Sequence, residues 1–259
     1  VQNAIMGRGI TNGNLELKAD NNGMMVTGTM NLGTIPGTLE WHESFDSKEP
    51  VRTTYILRGL VDDTQRTEEL GFDFAPFSVD HLHGPVGAEV QWNVLRSGQG
   101  KMRALLDMTQ TEMMLPQLGW SKPSGIAGTA EVEVGLDGDI VTGVPLFSVQ
   151  AGDLSARGTV TTDPKTGDLR RVDLDRLVFG RSDVKGALIP GRDGGWTVTA
   201  HGASFDFAPM FEDMFSLDGD SEDVAAGAEA PGPDISFSVD LDRLWVSQDQ
   251  AMQNVKGTL

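Results

Sequence analysis

Few residues in this 259-residue chain have the type and spacing to do chemistry, and each group lacks a partner that the chemistry would need. His81 and His83 stand two apart, so on a strand both rings project from one face and could share a metal. No third ligand lies near them, and a polar strand face is the plainer reading. Asp218, Asp220, Glu222 and Asp223 could chelate calcium, but the run lacks the spaced ligands and closing glutamate of a calcium-binding hand. Glycines 7, 9 and 13 form no phosphate fingerprint, and no Walker lysine follows a glycine run. Asp173 and Asp175 alternate to one side of a strand with no motif that would raise a carboxyl pKa, and they read as its wet face.

Lys165-Thr166-Gly167 and Ser182-x-x-Lys185 mimic two motifs of penicillin-binding proteins and β-lactamases. In those enzymes the Ser-x-x-Lys opens a helix and precedes the Lys-Thr-Gly. Here the order is reversed and residues 182–185 follow a strand pattern. The expectation is therefore no catalytic residue, no metal and no cofactor.

The elements that would position side chains are almost all strands. Turn signals such as Asn21-Asn22-Gly23 separate short alternating runs, and Thr11-Asn12-Gly13 reads as another hairpin turn. Strands are expected over Asn3–Gly9, Asn14–Asp20, Met24–Leu32, Pro36–Glu43 and Val51–Leu60. After a strand region from Phe77 to Met108, more follow over Ile126–Gly135, Asp139–Gln150, Leu154–Thr162, Leu169–Phe179, Ser182–Ile189 and Trp196–Phe205. Asp62–Leu70, with an aspartate cap and Gly71 at its end, is the best helix, a lid of two to three turns. A second short helix is expected over Ala208–Phe215. Residues 217–234 are acidic, small and proline-bearing, and read as a mobile loop.

The organisation follows: a β-meander over 1–110, a crossover over 111–125, a second β segment over 126–216, the acidic loop over 217–234, and the start of another repeat over 235–259. Pro116, Gly119, Pro123 and Gly125 are expected to bar regular pairing in the crossover. VDLDRL occurs at Val172–Leu177 and again at Val239–Leu244, and VKGAL (184–188) is answered by VKGTL (255–259). FDFAP occurs at 72–76 and 205–209. Reused strand pairs mean growth by addition of units. In both VDLDRL copies the apolar phase switches at the Asp-Arg step, which predicts a β-bulge in each.

Twenty basic against 38 acidic residues give a formal charge of −18, which repels nucleic acid and offers little to an anionic lipid surface. Zero cysteines exclude a disulfide framework. The start VQNAIMGRG has no basic-then-apolar leader, and no run approaches the ~18 apolar residues of a membrane span. Both ends read as interrupted strands, so the chain is expected to be a fragment of a longer protein.

Roughly 14 strands exceed the ~10 at which a twisted open sheet usually stops growing, so the sheet must close, split or curl. Curled, with strands ~4.8 Å apart, it would make a trough on the order of 65 Å long. An apolar inner face would shelter a lipid tail at ~0.8 kcal/mol per buried methylene. The 11 methionines suit a chain-like ligand, but an ordinary core is the plainer reading of them from sequence alone. Alternation nominates Met24, Val26, Met30, Val132, Val134, Leu136, Val172, Leu174, Phe237, Val239 and Leu241 as lining, and leaves open which face lines the groove.

One run carries a resemblance. The residues LDMTQTEMMLPQLGWSKPSG (106–125), with GPVGAEV before and GGWTVTAHGASFD after, resemble a segment of the AsmA-like superfamily of bacterial envelope proteins, in particular its YhdP-type members. The resemblance implies a long, curved antiparallel sheet forming a groove. It also implies a periplasmic place and phospholipid acyl chains as cargo between inner and outer membranes, which would be reached through parts of the protein absent here. The alternatives are a structural or adhesive repeat protein with a closed core and, third, a hydrolase on a β scaffold.

Overall fold

The structure is a computed structural model that describes residues 8–191, 194–210 and 235–258. The expected strand over Asn3–Gly9 apart from its last two residues, most of the helix over 208–215, and the acidic loop with its four candidate calcium ligands lie outside these. In chain order the strands are β1 (Ile10–Ala19), β2 (Gly23–Leu32), β3 (Ile35–Ser44), β4 (Val51–Val61), β5 (Leu82–His83) and β6 (Val86–Leu95). Then come β7 (Gln99–Asp107), β8 (Glu112–Leu115), β9 (Trp120–Lys122), β10 (Gly128–Asp137), β11 (Ile140–Ala151) and β12 (Leu154–Thr162). The last five are β13 (Leu169–Phe179), β14 (Ser182–Pro190), β15 (Trp196–Asp206), β16 (Ile235–Trp245) and β17 (Ala251–Thr258).

All but three of these strands join one curved, open, 14-stranded sheet in the order β1-β2-β3-β4-β6-β7-β10-β11-β12-β13-β14-β15-β16-β17. Neighbours are antiparallel except β15 and β16, which run parallel. Thirteen inter-strand steps of about 4.8 Å give the sheet a length of roughly 60 Å across its strands.

Local chemistry sets the connections. The Asp20 carboxylate accepts from the amides of Asn22 and Gly23 and closes the β1–β2 turn. Asp62 and Gln65 cap each other, the Asp62 carboxylate accepting from the Gln65 amide and the Gln65 side-chain oxygen from the Asp62 amide. The turn they start is π-helical over Gln65–Glu69, and it ends at Gly71 with φ 78°. Thr11-Asn12-Gly13 is not a hairpin turn. The residues on either side pair with the same strand β2, so the extra residues form a bulge inside β1, with Asn12 at φ 48°.

The crossover pairs more than its prolines suggested. β8 and β9 form a hairpin around a 3-10 turn over Pro116–Leu118, and β5 joins them in a three-stranded sheet. The prolines and glycines flank the paired residues rather than interrupt them, and Gly119, at φ 60°, makes the reversal.

Identical hexapeptides do not pair identically. β13 bulges at Asp175-Arg176, where Leu174 faces Gly186 and Leu177 faces Val184, as the phase switch requires. β16 carries no register shift against either neighbour. The β13–β14 turn has only Gly180-Arg181 between the strands, whereas 246–250 separate β16 from β17, and the longer turn sets a different register. The irregularity passes to β17, where Asn254, facing the Asp242 step, has φ 53°.

Candidate functional site: an apolar trough

Directly paired residues in a sheet share a face, so the registers trace rows of side chains from one edge strand to the other. The middle row reads Leu15, Gly28, Leu39, Leu57, Val90, Ala104, Val132, Phe147, Gly158, Leu174, Gly186, Ala200, Val239, Gly257. It takes one residue from each of the 14 strands, and none is polar.

The rows beside it are built the same way. On one side Met30 leads through Leu106, Ala130, Val149 and Leu177 to Leu241 and Val255. On the other, Leu17, Val26, Trp41, Tyr55, Trp92, Met102 and Val134 cross the first half. Val144, Val160, Val172, Leu188, Val198 and Phe237 cross the second. Met24 and Leu136 lie one step further out on the same face of β2 and β10. All eleven residues nominated by alternation therefore share one face.

The opposite face is wet. Its ion pairs include Arg58 with Glu40 and Glu89, Arg103 with Glu131, Arg176 with Asp183, and Lys256 with Asp240.

Between β2 and β6 the side chains of the apolar face close over one another, as on the inside of a curve. Leu39 is 1% exposed and Met30 4%, and the side chains packed on them come from strands of the same sheet: Ile10, Leu32, Trp41, Tyr55, Leu57 and Trp92. Side chains on a convex face diverge and leave one another exposed, whereas on a concave face they converge. Among the described residues the one other sheet has three strands, β5, β8 and β9, against the fourteen of the large sheet.

Some glycines stand where a neighbouring strand leaves no room for a side chain. A Cβ on Gly158 would overlap the Asp173 carbonyl oxygen, and one on Gly186 would overlap that of Thr199. Both glycines belong to the middle row, along the floor of the trough.

The three-stranded sheet caps one rim. Trp120 packs with Ala151, Leu154 and Phe179, and Met113 reaches both this cluster and that of Leu82, Val86, Met108 and Ala130. These residues lie at one end of the long strands. At that rim the cap is fixed by two buried cations. Lys122, 1% exposed, donates from Nζ to the carbonyls of Thr111 (2.7 Å), Ile126 (3.0 Å) and Pro123 (3.2 Å). Burial lowers its pKa from the ordinary lysine value, and the charge of Asp107 partly opposes this. The Arg66 guanidinium donates to the carbonyls of Phe77, Leu82 and Gly84 and pairs with Asp63 at 2.9 Å.

No family model, curated protein or solved structure matches this chain. Among the described residues, no helix is long and apolar enough to cross a membrane.

The other residues singled out from sequence are not brought together. Ser182 is buried and its hydroxyl accepts from the Asp206 amide, while Lys165-Thr166-Gly167 turns at the far end of β13, roughly 30 Å away along that strand. His81 contacts Ser78 Oγ through Nδ1 at 2.9 Å, and His83 contacts Asp63 at 2.7 Å. The described residues hold no cluster of three or more metal-ligating side chains. Asp173 accepts from Arg171 on the wet face.

The aromatic run Trp41–Tyr55–Trp92 escaped the sequence reading. Its rings follow one another at centroid distances of 5.6 and 5.4 Å across β3, β4 and β6. Each ring stands in the right alternation phase, but only the register shows that the three adjoin. Burial, and then the nearby Glu43 charge, raise the Tyr55 pKa above its ordinary value. The indole nitrogens of Trp41 and Trp92 are buried without a hydrogen-bond partner.

Proposed function

We propose that the trough shelters lipid acyl chains, and that the chain is a segment of a periplasmic AsmA-like, YhdP-type protein through which phospholipid passes between inner and outer membranes. The observation that carries this reading is the middle row, apolar in every strand from Leu15 to Gly257. A core sealed against a facing sheet needs no such continuity from one edge strand to the other. A path for a sliding hydrocarbon does, because one charged or hydrogen-bonding group on the floor would pin or repel the chain.

Nothing in this mechanism reacts. Each methylene that leaves water gains ~0.8 kcal/mol, and it gains similarly at every step along a uniform floor, so movement along the trough meets no deep well. The glycines and alanines of the middle row leave room for the tail, and the leucines and valines beside it form the walls. The headgroup would stay in water above the uncapped rim.

Organic extraction and native mass spectrometry of the purified protein test the reading. Co-purifying phospholipid in a folded protein is the expected result. A lipid-free protein that takes up no added phospholipid would remove it.

A further inference from the structure

Residues 72–79 hold three phenylalanines out in water. Phe72, Phe74 and Phe77 are 43%, 53% and 40% exposed, their ring centroids lie 5.4 to 6.2 Å apart, and Val79 beside them is exposed as well. Hydrogen bonds to its backbone hold the loop that presents these rings. Arg66 holds the Phe77 carbonyl at 3.0 Å, the Phe72 amide donates to the Arg66 carbonyl, and the amides of Phe77 and Ser78 both donate to the carbonyl of Phe74. Through the preceding turn the loop is anchored at the rim of the trough, where the Glu69 carboxylate accepts from the amide and hydroxyl of Thr34 between β2 and β3.

We propose that this loop is a docking element that inserts its three rings into the interface of a zwitterionic lipid layer. The exposed ring area is roughly 300 Å², since an aromatic side chain presents about 150–250 Å². That is well short of the ~800 Å² that each partner of a stable protein complex contributes. It suits shallow insertion, in which a few aromatic side chains reach the boundary between headgroups and tails.

Charge selects the kind of lipid. Between Asp62 and His83 stand six acids, Asp62, Asp63, Glu68, Glu69, Asp73 and Asp80, against one arginine, Arg66, which is buried. A layer rich in anionic lipid would repel this surface and a zwitterionic one would not. The inference rests on the loop alone and does not require the trough to hold lipid.

Flotation with phosphatidylcholine vesicles tests it, using the whole chain. The protein is expected to float with the vesicles, and Phe72→Ser/Phe74→Ser/Phe77→Ser to lose roughly tenfold or more in partitioning with an unchanged circular dichroism spectrum. Replacing half the lipid with phosphatidylglycerol should weaken binding, and Asp73→Asn/Asp80→Asn should restore part of it. Leu174→Glu, which obstructs the trough and leaves the loop intact, should float as the parent does. Flotation unchanged by the triple substitution, stronger binding to anionic vesicles, or self-association through the loop without vesicle binding would each overturn the proposal.

Discussion

The indole nitrogen of Trp120 donates to Oδ1 of Asp153 at 2.8 Å, and the other oxygen of that carboxylate accepts from the amide of Gly180 at 3.0 Å. One side chain in the β11–β12 turn thus fastens the cap to the β13–β14 turn. The two donors, the indole first, hold the Asp153 pKa below its usual 3.8.

A carboxylate whose folded pKa is depressed contributes stability that is fully present above its unfolded pKa and lost as pH falls through the folded value. Asp153→Asn should therefore cost about 1 kcal/mol at neutral pH. The gap between the two proteins should narrow as the pH drops below that usual 3.8. Urea midpoints measured in parallel at several pH values check this, and a gap that is independent of pH would show that the carboxylate's charge has no part in the contact.

Lys122 offers a larger effect. Lys122→Met keeps most of the side-chain volume but leaves the carbonyls of Thr111, Pro123 and Ile126 short of a donor in a buried site. The expected loss is about 3 kcal/mol in chemical denaturation. Lys122→Arg should not rescue it, because a planar fork cannot place donors on three converging carbonyls as an ammonium does. Stability equal to the parent in either variant would contradict this role.

The floor glycines can be ranked against one another. Gly158→Ala and Gly186→Ala each drive a methyl group into the backbone of a neighbouring strand and should cost at least 1–3 kcal/mol, by the usual scale of overpacking. Gly257→Ala meets nothing within 4 Å and should be close to neutral. Thermal unfolding of the three variants side by side gives the order. Equal effects at all three positions would mean that the neighbouring backbone does not crowd Gly158 and Gly186 more than Gly257 at the sheet edge.

What was readable from sequence alone divides along a physical line. Alternation is local, so it placed Val26, Val132 and Leu174 on the apolar phase of their strands, and it carried the all-β fold and the bent sheet. Register is not local. Which residue of β4 lies beside Trp41 depends on how hairpins close, so the Trp41–Tyr55–Trp92 run and the unbroken middle row emerge only once pairing is known. Turn length misled at two places for the same reason. Thr11-Asn12-Gly13 has the composition of a hairpin but sits where one partner strand continues past it, and the second VDLDRL meets a turn three residues longer than the first. Lys122 was visible only as a residue held extended before a proline. Its role depends on three carbonyls that converge when β8 and β9 pair.

The aromatic run supplies a direct optical test of the trough. Trp41 and Trp92 stand on the inner face in the row next to the floor, whereas Trp120 lies within the cap cluster. A phospholipid brominated along its acyl chains quenches an indole only at near contact, so uptake into the trough should dim the emission of a variant that keeps Trp41 and Trp92 but carries Trp120→Phe, Trp196→Phe and Trp245→Phe. Adding Leu174→Glu to that variant places a carboxylate in the middle row between Gly158 and Gly186, and burying a charge beside a hydrocarbon tail is costly enough to stop occupancy there. Quenching should then persist at the β3–β6 end only if lipid enters from the β1 edge, and it should vanish if lipid enters from β17. Brominated lipid that leaves the emission of Trp41 and Trp92 unchanged, in a protein still folded by circular dichroism, would mean that the tails do not lie on this face.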